Sequence, residues 1–212
     1  MALIIFDYDG VLADTLDDLL RFGQEACNKL GVKHVVEKDD LSNLEVMSFA
    51  SYGRACEVPE HLVDEFVQIC LKSFAEKKSP PAIFDGLSNI VRRFAVNNTI
   101  AIVTTNSSEN VNAFLVKHGL NGFVHAVYGV DSPGSKAQKI SVARNRLAPY
   151  TQQEAVFMVG DSSSDIRAAK ETATTSIAVT WGHQSLEHLL RGAPDYVVRF
   201  PQDLIEVIEK TE

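Results

Sequence analysis

The 212-residue chain has the composition of a globular protein, because 45 % of its residues are hydrophobic and 23 % are charged. Its 20 Lys and Arg against 28 Asp and Glu give a net charge of −8. Because no basic run occurs either, we expect neither a nucleic acid nor an anionic membrane as its partner. The length predicts one large domain, or one domain with an insert.

The cysteines and the N-terminus both indicate a reducing compartment. The three cysteines, Cys27, Cys56 and Cys70, are far apart and odd in number, which fits neither a disulfide framework nor a zinc site. The first apolar run meets Asp7 and has no basic flank, so we expect no signal peptide. No apolar run approaches the roughly 20 residues of a membrane span. We therefore predict a cytoplasmic protein, as a monomer or a weak dimer.

Short apolar runs alternate with helical periodicity along most of the chain, which is typical of a parallel sheet covered by helices. The predicted strands are Leu3–Phe6, Ile100–Val103, Val124–Tyr128, Val156–Val159, Ser176–Val179 and Tyr196–Val198. The predicted helices lie near 86–97, 108–118, 135–147, 163–171, 185–191 and 202–209. The pattern predicts an α/β fold with a doubly wound, mainly parallel, Rossmann-like sheet.

Residues 16–78 interrupt this alternation, because they show helical patterns without a clear strand. One predicted helix begins near Leu16 and ends at Gly31, and a second begins after Pro59. Consecutive prolines at 80–81 end the segment. We predict that residues 1–15 and 83–212 form the α/β core and that residues 16–82 form an inserted helical domain.

Two acidic residues follow the first predicted strand. Asp7 and Asp9 are two positions apart, so they leave the strand on the same face. The carboxyl ends of parallel strands are where the sites of such sheets lie. Asp9-Gly10 is equally typical of a turn, so these residues alone decide nothing.

A second acidic pair, Asp161 and Asp165, follows a later predicted strand. Ser162 and Asp165 have the spacing of a capping box, which explains both without any ligand. It does not explain Asp161, whose charge adds to those of Asp7 and Asp9 at the same sheet edge. Mg²⁺ would relieve this repulsion, because it binds one or two carboxylates together with waters and a substrate phosphate. We predict Asp7 and Asp161 as its ligands.

Polar residues also follow the predicted strand Ile100–Val103. Any one of Thr104, Thr105 and Asn106 could cap the next helix, but capping needs only one of them. Lys136 lies at the start of a predicted helix, where the helix dipole disfavours a cation. A lysine is ordinarily a solvated surface residue, but beside a carboxylate site it would be a counter-charge for a nucleophile and a phosphate.

Taken together, these segments resemble the four motifs of the haloacid dehalogenase superfamily, in family order and over essentially the whole chain. They are Asp7-Tyr8-Asp9-Gly10-Val11-Leu12-Ala13-Asp14-Thr15, Thr104, Lys136 and Gly160-Asp161-Ser162-Ser163-Ser164-Asp165. The insert is similar to the family's small helical cap. Val179-Thr180-Trp181-Gly182 and Ala193-Pro194-Asp195-Tyr196-Val197-Val198 are similar to the closing segments of phosphoglycolate-phosphatase-like members.

The resemblance implies a Mg²⁺-dependent phosphatase that hydrolyses a small phosphorylated metabolite through an aspartyl-phosphate intermediate. Asp7 would be the nucleophile, and Asp9 would be the general acid and base. Mg²⁺ would be bound by Asp7, Asp161 and the backbone carbonyl of Asp9, with Asp165 as a supporting residue.

The resemblance also implies a phosphate-binding set. Lys136 and Thr104 would hold phosphate oxygens. Thr105 is the alternative to Thr104, because the strand end is defined only to within one residue. Asn106 is a further predicted phosphate-binding residue.

Several other functions share this chemistry. A dehalogenase needs no acid at position 9, so Asp9 disfavours it. A phosphomutase similar to β-phosphoglucomutase would keep every catalytic residue, and a catalytically silent phosphate-binding protein would keep the site without turnover. A phosphonate hydrolase needs a lysine in the insert, where the candidates are Lys29, Lys33, Lys38 and Lys72.

The substrate's leaving group is not predicted by the insert. Residues 39–53 contain no Lys or Arg, and Arg54 is the first cation after them. This departs from what a carboxylate-bearing substrate such as phosphoglycolate would favour. Trp181 is expected either in the core, which is the usual place of a lone tryptophan, or at the entrance of the site.

Overall fold

The computed structural model describes residues 1–77, 79–147 and 155–211, and each predicted strand is present within them. The strands are β1 (Leu3–Phe6), β2 (Ala13–Asp14), β3 (Ala82–Ile83), β4 (Thr99–Val103), β5 (Ala126–Tyr128), β6 (Val156–Gly160), β7 (Thr175–Val179) and β8 (Tyr196–Val198). Six of them form a parallel sheet in the order β5-β4-β1-β6-β7-β8. The predicted α/β fold with a doubly wound sheet is confirmed.

The first strand of the chain, β1, lies in the middle of the sheet. Phe6, the last residue of β1, lies opposite Ile102 of β4 on one side and Val159 of β6 on the other. From β1 the chain builds one half of the sheet outward through β4 and β5, and then the other half through β6, β7 and β8. The direction of winding therefore reverses at the carboxyl end of β1, which is where a crevice opens in such sheets.

Some helices cover the two faces of the sheet, and others form a separate group. They are α1 (Leu16–Leu30), α2 (Asp39–Ser42), α3 (Phe49–Ala55), α4 (Val63–Ala75), α5 (Leu87–Phe94), α6 (Ser108–Lys117), α7 (Lys136–Leu147), α8 (Ser163–Glu171), α9 (Leu186–Arg191) and α10 (Asp203–Thr211), with a short 3₁₀ helix at Glu60–Leu62. No helix among the described residues is long and apolar enough to span a bilayer.

Side-chain alternation along the strands creates two cores. Ile4 and Phe6 of β1 point to the face covered by α5, α6 and α10, whereas Leu3 and Ile5 point to the face covered by α7 and α8. All four side chains are fully buried. Because β1 is hydrophobic on both faces, it belongs at the centre of a parallel sheet.

Helices α1 to α4 share a core of their own. Tyr52 and Phe66 are fully buried there with their rings edge to face, and the Tyr52 hydroxyl donates to the Leu19 carbonyl at 3.0 Å. Gly31 ends α1 in the left-handed region at φ 72°, as predicted. The chain leaves and re-enters the α/β part through the antiparallel pair of β2 and β3, and Lys78 of the predicted insert lies outside the described residues.

The predicted elements differ from the observed ones in a few places. The predictions missed α2, α3 and the two-residue strands β2 and β3. Strand β5 begins at Ala126 instead of Val124. Helix α5 ends at Phe94, because the chain then turns through Asn98, whose N–H donates to the Phe94 carbonyl at 2.9 Å and whose side chain accepts from the Ala2 N–H at 2.7 Å.

Candidate active site

Three carboxylates meet beyond the carboxyl ends of β1 and β6. Asp7 continues the β1–β6 pairing, because its N–H donates to the Val159 carbonyl at 2.9 Å. Asp161 follows β6 directly, and Asp165 lies in the first turn of α8. Oxygens of Asp7, Asp161 and Asp165 all lie within 4.8 Å of one another, and all three residues are buried.

Lys136 is the cation of this cluster. It begins α7, and its Nζ donates to Asp7 Oδ2 at 2.9 Å and to Asp165 Oδ1 at 2.5 Å. Only 12 % of its side chain is exposed, so it is not the solvated lysine that its position in the sequence would suggest. Burial by itself would lower the pKa of Lys136, but the carboxylates of Asp165 and Asp7 raise it. The group therefore stays charged.

One ammonium does not neutralise three buried carboxylates. Burial raises the pKa of Asp7 to about 7, against the opposing effect of Lys136. Burial, followed by the charge of Asp165, raises the pKa of Asp161 to about 7. Because the donors are carboxylate oxygens and the site carries excess negative charge, it suits a hard divalent cation.

The hydrogen bonds distinguish the three acids. Both oxygens of Asp165 are engaged, Oδ1 with Lys136 and Oδ2 with the N–H and hydroxyl of Ser162 at 3.1 and 2.6 Å. This is the predicted capping box of α8, which is confirmed. Asp161 accepts at Oδ2 from the His183 N–H at 2.7 Å, and the described residues provide no hydrogen bond to its other oxygen. Asp161 is thus more available to a cation than Asp165.

Asp9 has different neighbours. Its Oδ2 accepts from Asn106 Nδ2 at 3.0 Å. Burial raises the pKa of Asp9, and the bond from Asn106 opposes this only in part. Gly10 follows at φ 76°, and a Cβ there would collide with the Asp161 carboxylate. The turn interpretation of Asp9-Gly10 is therefore also correct.

The polar residues that follow β4 differ in burial. Thr104 is 1 % exposed, and its Oγ1 accepts from the Asn106 N–H at 3.1 Å, while Thr105 is exposed. Both ends of the Asn106 side-chain amide are hydrogen-bonded. Its nitrogen donates to Asp9, and its Oδ1 accepts from the N–H of Ser107 at 2.8 Å. Ser107 caps α6, as its side chain accepts from the Asn110 N–H.

A cleft lies beside Asp9, between the α/β part and the end of the helical insert. The space in and at the open mouth of this cleft is about 420 Å³, part of which is open solvent. Its lining residues come from both parts and are Tyr8, Asp9, Thr15, Phe74, Lys77, Ser79, Pro80, Pro81, Asn106, Asn110 and Ala113. Asp9 is thus the catalytic candidate that faces the space where a leaving group would lie.

Among the described residues that line this cleft, the cation is Lys77, which the sequence reasoning missed. Its Nζ pairs with Asp18 of α1. Arg54, the first cation of the insert after residue 53, is exposed and pairs with Glu60 at 2.5 Å, outside the cleft lining. The four lysines considered for a phosphonate hydrolase, Lys29, Lys33, Lys38 and Lys72, are exposed and also outside that lining.

Sequence reasoning also missed His183. Its buried ring has Nδ1 3.3 Å from Asp161 Oδ2 and Nε2 3.2 Å from Thr15 Oγ1. The available signal was its position just after the carboxyl end of β7. Trp181 of the same loop packs against the core, and its Nε1 donates to the Val11 carbonyl at 3.1 Å, so the core interpretation of this tryptophan is the right one.

Comparison with known proteins agrees with this geometry. The chain matches the haloacid dehalogenase-like hydrolase family over residues 4–179. It is 26 % identical over 211 residues to phosphoglycolate phosphatase of Synechococcus elongatus, covering 98 % of this chain and 97 % of that protein. It is 25 % identical over 215 residues to pyrophosphatase PpaX of Listeria innocua, covering 99 % and 97 %.

The fold is similar to that of a solved haloacid dehalogenase-like family protein from Streptococcus pneumoniae, with a TM-score of 0.84 and 23 % identity over 98 % of both chains. The chain belongs to the haloacid dehalogenase-like hydrolase family and is a hydrolase. The resemblance predicted from its motifs is confirmed, including the likeness to phosphoglycolate phosphatases along the whole chain.

Proposed function

We propose that this hydrolase is a Mg²⁺-dependent phosphatase that cleaves a small phosphate monoester through an aspartyl-phosphate formed on Asp7. The observation that carries the proposal is the buried cluster in which Asp7 shares the ammonium of Lys136 and lies beside Asp161. The full-length similarity to proteins named phosphoglycolate phosphatase and pyrophosphatase supports the substrate class.

Asp7, Asp161 and the backbone carbonyl of Asp9 would hold Mg²⁺, and Asp165 would support the site by fixing Lys136 and the start of α8. When bound, the cation neutralises excess carboxylate charge and the charge of the phosphate. The donor set fits it, because two buried carboxylates with raised pKa values gain most from a divalent partner.

Asp7 would attack phosphorus while Lys136 holds both its carboxylate and a phosphate oxygen. Thr104 is the better candidate for a second phosphate contact than Thr105, because Thr104 is the buried one at the end of β4. We assign Asn106 to orienting Asp9, since its amide nitrogen donates to that carboxylate.

Asp9 would protonate the leaving oxygen and then remove a proton from the water that attacks the phosphoenzyme. Both steps need a carboxyl whose pKa lies above its ordinary range, and burial raises that of Asp9. Its place in the lining of the cleft gives it access to a leaving group.

The helical insert, residues 16–82, would act as the cap that contributes one wall of the cleft. Phe74 and Lys77 give this wall an apolar and a cationic element. Lys77 is paired with Asp18, so it would contact an anionic leaving group such as glycolate or phosphate only by sharing or exchanging that carboxylate. The described part of the insert thus places one cation in the cleft wall, although residues 39–53 contain none.

The experiment is a phosphate-release assay on the purified protein with an aryl phosphate, 2-phosphoglycolate, pyrophosphate and sugar phosphates. We expect Mg²⁺-dependent release from at least one substrate, and none above background from Asp7→Asn. Interconversion of sugar phosphates without release would favour a phosphomutase. Stabilisation by Mg²⁺ and beryllium fluoride, a mimic of the phosphoenzyme, without turnover would favour a silent phosphate-binding protein.

A further inference from the structure

The mechanism above leaves one buried polar group of the site without a role. His183 is 3 % exposed and lies in the loop between β7 and α9. Its backbone N–H donates to Asp161 Oδ2 at 2.7 Å, and its ring nitrogen Nδ1 lies 3.3 Å from the same oxygen. His183 therefore contacts the proposed metal ligand twice.

The other ring nitrogen of His183 contacts Thr15, which lies in the cleft lining together with the proposed general acid Asp9. His183 Nε2 lies 3.2 Å from Thr15 Oγ1. Thr15 is 2 % exposed, so these contacts are shielded from water. His183 thus connects Asp161 to Thr15, which lines the cleft beside Asp9.

The backbone around His183 is built for close approach. A Cβ at Gly10 would lie 2.9 Å from His183 Nδ1, and a Cβ at Gly182 would collide with Asp161 and with the Gly10 carbonyl. Only glycine at both positions lets the loop reach the carboxylate without displacing it. The imidazole is therefore held by packing as well as by hydrogen bonds.

The next residues anchor this loop to both parts of the protein. Gln184 accepts the Ser163 N–H of α8 at 2.7 Å and donates to the Leu44 carbonyl of the insert at 2.6 Å. The Ser185 N–H donates to the Ser42 carbonyl at 2.9 Å. The position of His183 is thus fixed relative to the catalytic strands and to the insert.

We propose that His183 is a positioning residue that holds Asp161 in place for the cation and, through Thr15, fixes the carboxyl of Asp9 beside the leaving group. The inference rests on the proposed phosphatase function. His183 itself is outside the cleft lining, whereas Thr15 and Asp9 belong to it. Residues that support metal ligands typically affect metal affinity or activity by about 10- to 100-fold.

The test compares His183→Ala, His183→Asn and Thr15→Val by steady-state kinetics and by calorimetric titration with Mg²⁺. His183→Ala should lower kcat by about 10- to 100-fold with little change in KM, and should weaken Mg²⁺ binding by about 10-fold. Thr15→Val should lower kcat to a similar extent as His183→Ala and leave Mg²⁺ affinity unchanged. The Asn amide replaces Nδ1 only, so His183→Asn should restore Mg²⁺ affinity while kcat stays low.

Two further arms separate positioning from simple loss of packing. His183→Ala combined with Thr15→Val should lower kcat no more than the single change at His183, because the Thr15 hydroxyl contacts His183 Nε2 and the two side chains are proposed to act as one unit. His188→Gln is the matched control, since His188 is also 3 % exposed and lies outside the site; its kcat and Mg²⁺ affinity should match those of the wild type.

Folded His183→Asn and Thr15→Val variants with wild-type kcat would overturn the inference, as would independent effects that multiply in the double variant. A wild-type protein that releases no phosphate from any substrate would instead overturn the proposed function. The Mg²⁺ titrations of the His183 variants would still decide the Asp161 part of the inference.

Discussion

Single residues in this site serve the fold and the chemistry at once. Asp165 completes the capping box of α8 with one oxygen and binds Lys136 with the other. The cap is predictable, because it depends on a spacing of three residues. The contact with Lys136 is not, because 29 positions separate the two residues and only the fold brings them together.

The first prediction concerns the proton transfers. Asp9→Asn should bind Mg²⁺ nearly as well as the wild type, since the backbone carbonyl is the proposed ligand, yet lose about 10²- to 10⁴-fold in kcat on substrates with poor leaving groups. Steady-state assays with parallel Mg²⁺ titration check it. Asp14→Asn is the control, because Asp14 is an exposed carboxylate five positions along. Wild-type turnover in Asp9→Asn would leave Asp9 a purely structural role.

The second prediction separates two roles for Asn106. If its amide orients Asp9, as their 3.0 Å bond indicates, Asn106→Ala should lower kcat by about 10-fold and change KM little, which is the loss of about one hydrogen bond to a charged group. Kinetics on an alkyl phosphate measure both constants. A large rise in KM with kcat retained would support direct phosphate binding and contradict our assignment.

At the scale of the elements, prediction succeeded where one pattern dominates. The strands β1, β4, β6 and β7 are apolar on both faces, and their positions are correct to within one residue. The short helices α2 and α3 were missed because segment 39–53 mixes apolar and polar residues in about equal numbers and each helix spans two turns at most. The pair of β2 and β3 was missed since two residues carry no periodicity.

The third prediction concerns the junction of β7 and β8. Asp195 Oδ2 accepts from the N–H and the hydroxyl of Ser176 at 2.8 and 2.7 Å, and these bonds lower the pKa of Asp195. Asp195 is exposed, so we expect Asp195→Ala to cost only about 1 kcal/mol of unfolding free energy at neutral pH. Urea denaturation measures this cost.

The sign of the pH dependence follows from the direction of that shift. A carboxyl whose pKa is lower in the folded state stabilises the fold above its unfolded pKa of about 4, and the contribution disappears as the pH falls through the folded value. The stability difference between the wild type and Asp195→Ala should therefore shrink in acid. Asp195→Asn should lack this pH dependence; a constant difference between the wild type and both variants would contradict the role of the charge.

At the scale of the whole molecule, the site is assembled where the winding of the sheet reverses. Four segments far apart in the chain deliver Asp7, Thr104, Lys136 and Asp161 to this place, and the order of strands and polar residues made those four predictable. Lys77 and His183 were not predictable in the same way, because their roles depend on how the insert and the β7–α9 loop fold back onto the site.

The fourth prediction concerns the cation. Activity on an aryl phosphate should require Mg²⁺ and should be inhibited by Ca²⁺, because the looser and larger coordination of Ca²⁺ would misplace the nucleophile relative to phosphorus. Titration of each metal into chelator-treated protein measures this. Full hydrolysis in excess chelator would contradict the metal site formed by Asp7 and Asp161.

The proposed mechanism requires a covalent bond between phosphorus and Asp7, which borohydride trapping detects. Asp9→Asn with p-nitrophenyl phosphate should accumulate the intermediate, because this leaving group needs little protonation while the water attack still needs a base. Borohydride reduces an acyl phosphate to the alcohol, so peptide mass spectrometry should find homoserine at position 7, dependent on substrate and Mg²⁺. An unmodified Asp7 in protein that is still releasing nitrophenol under these conditions would rule out the aspartyl-phosphate mechanism.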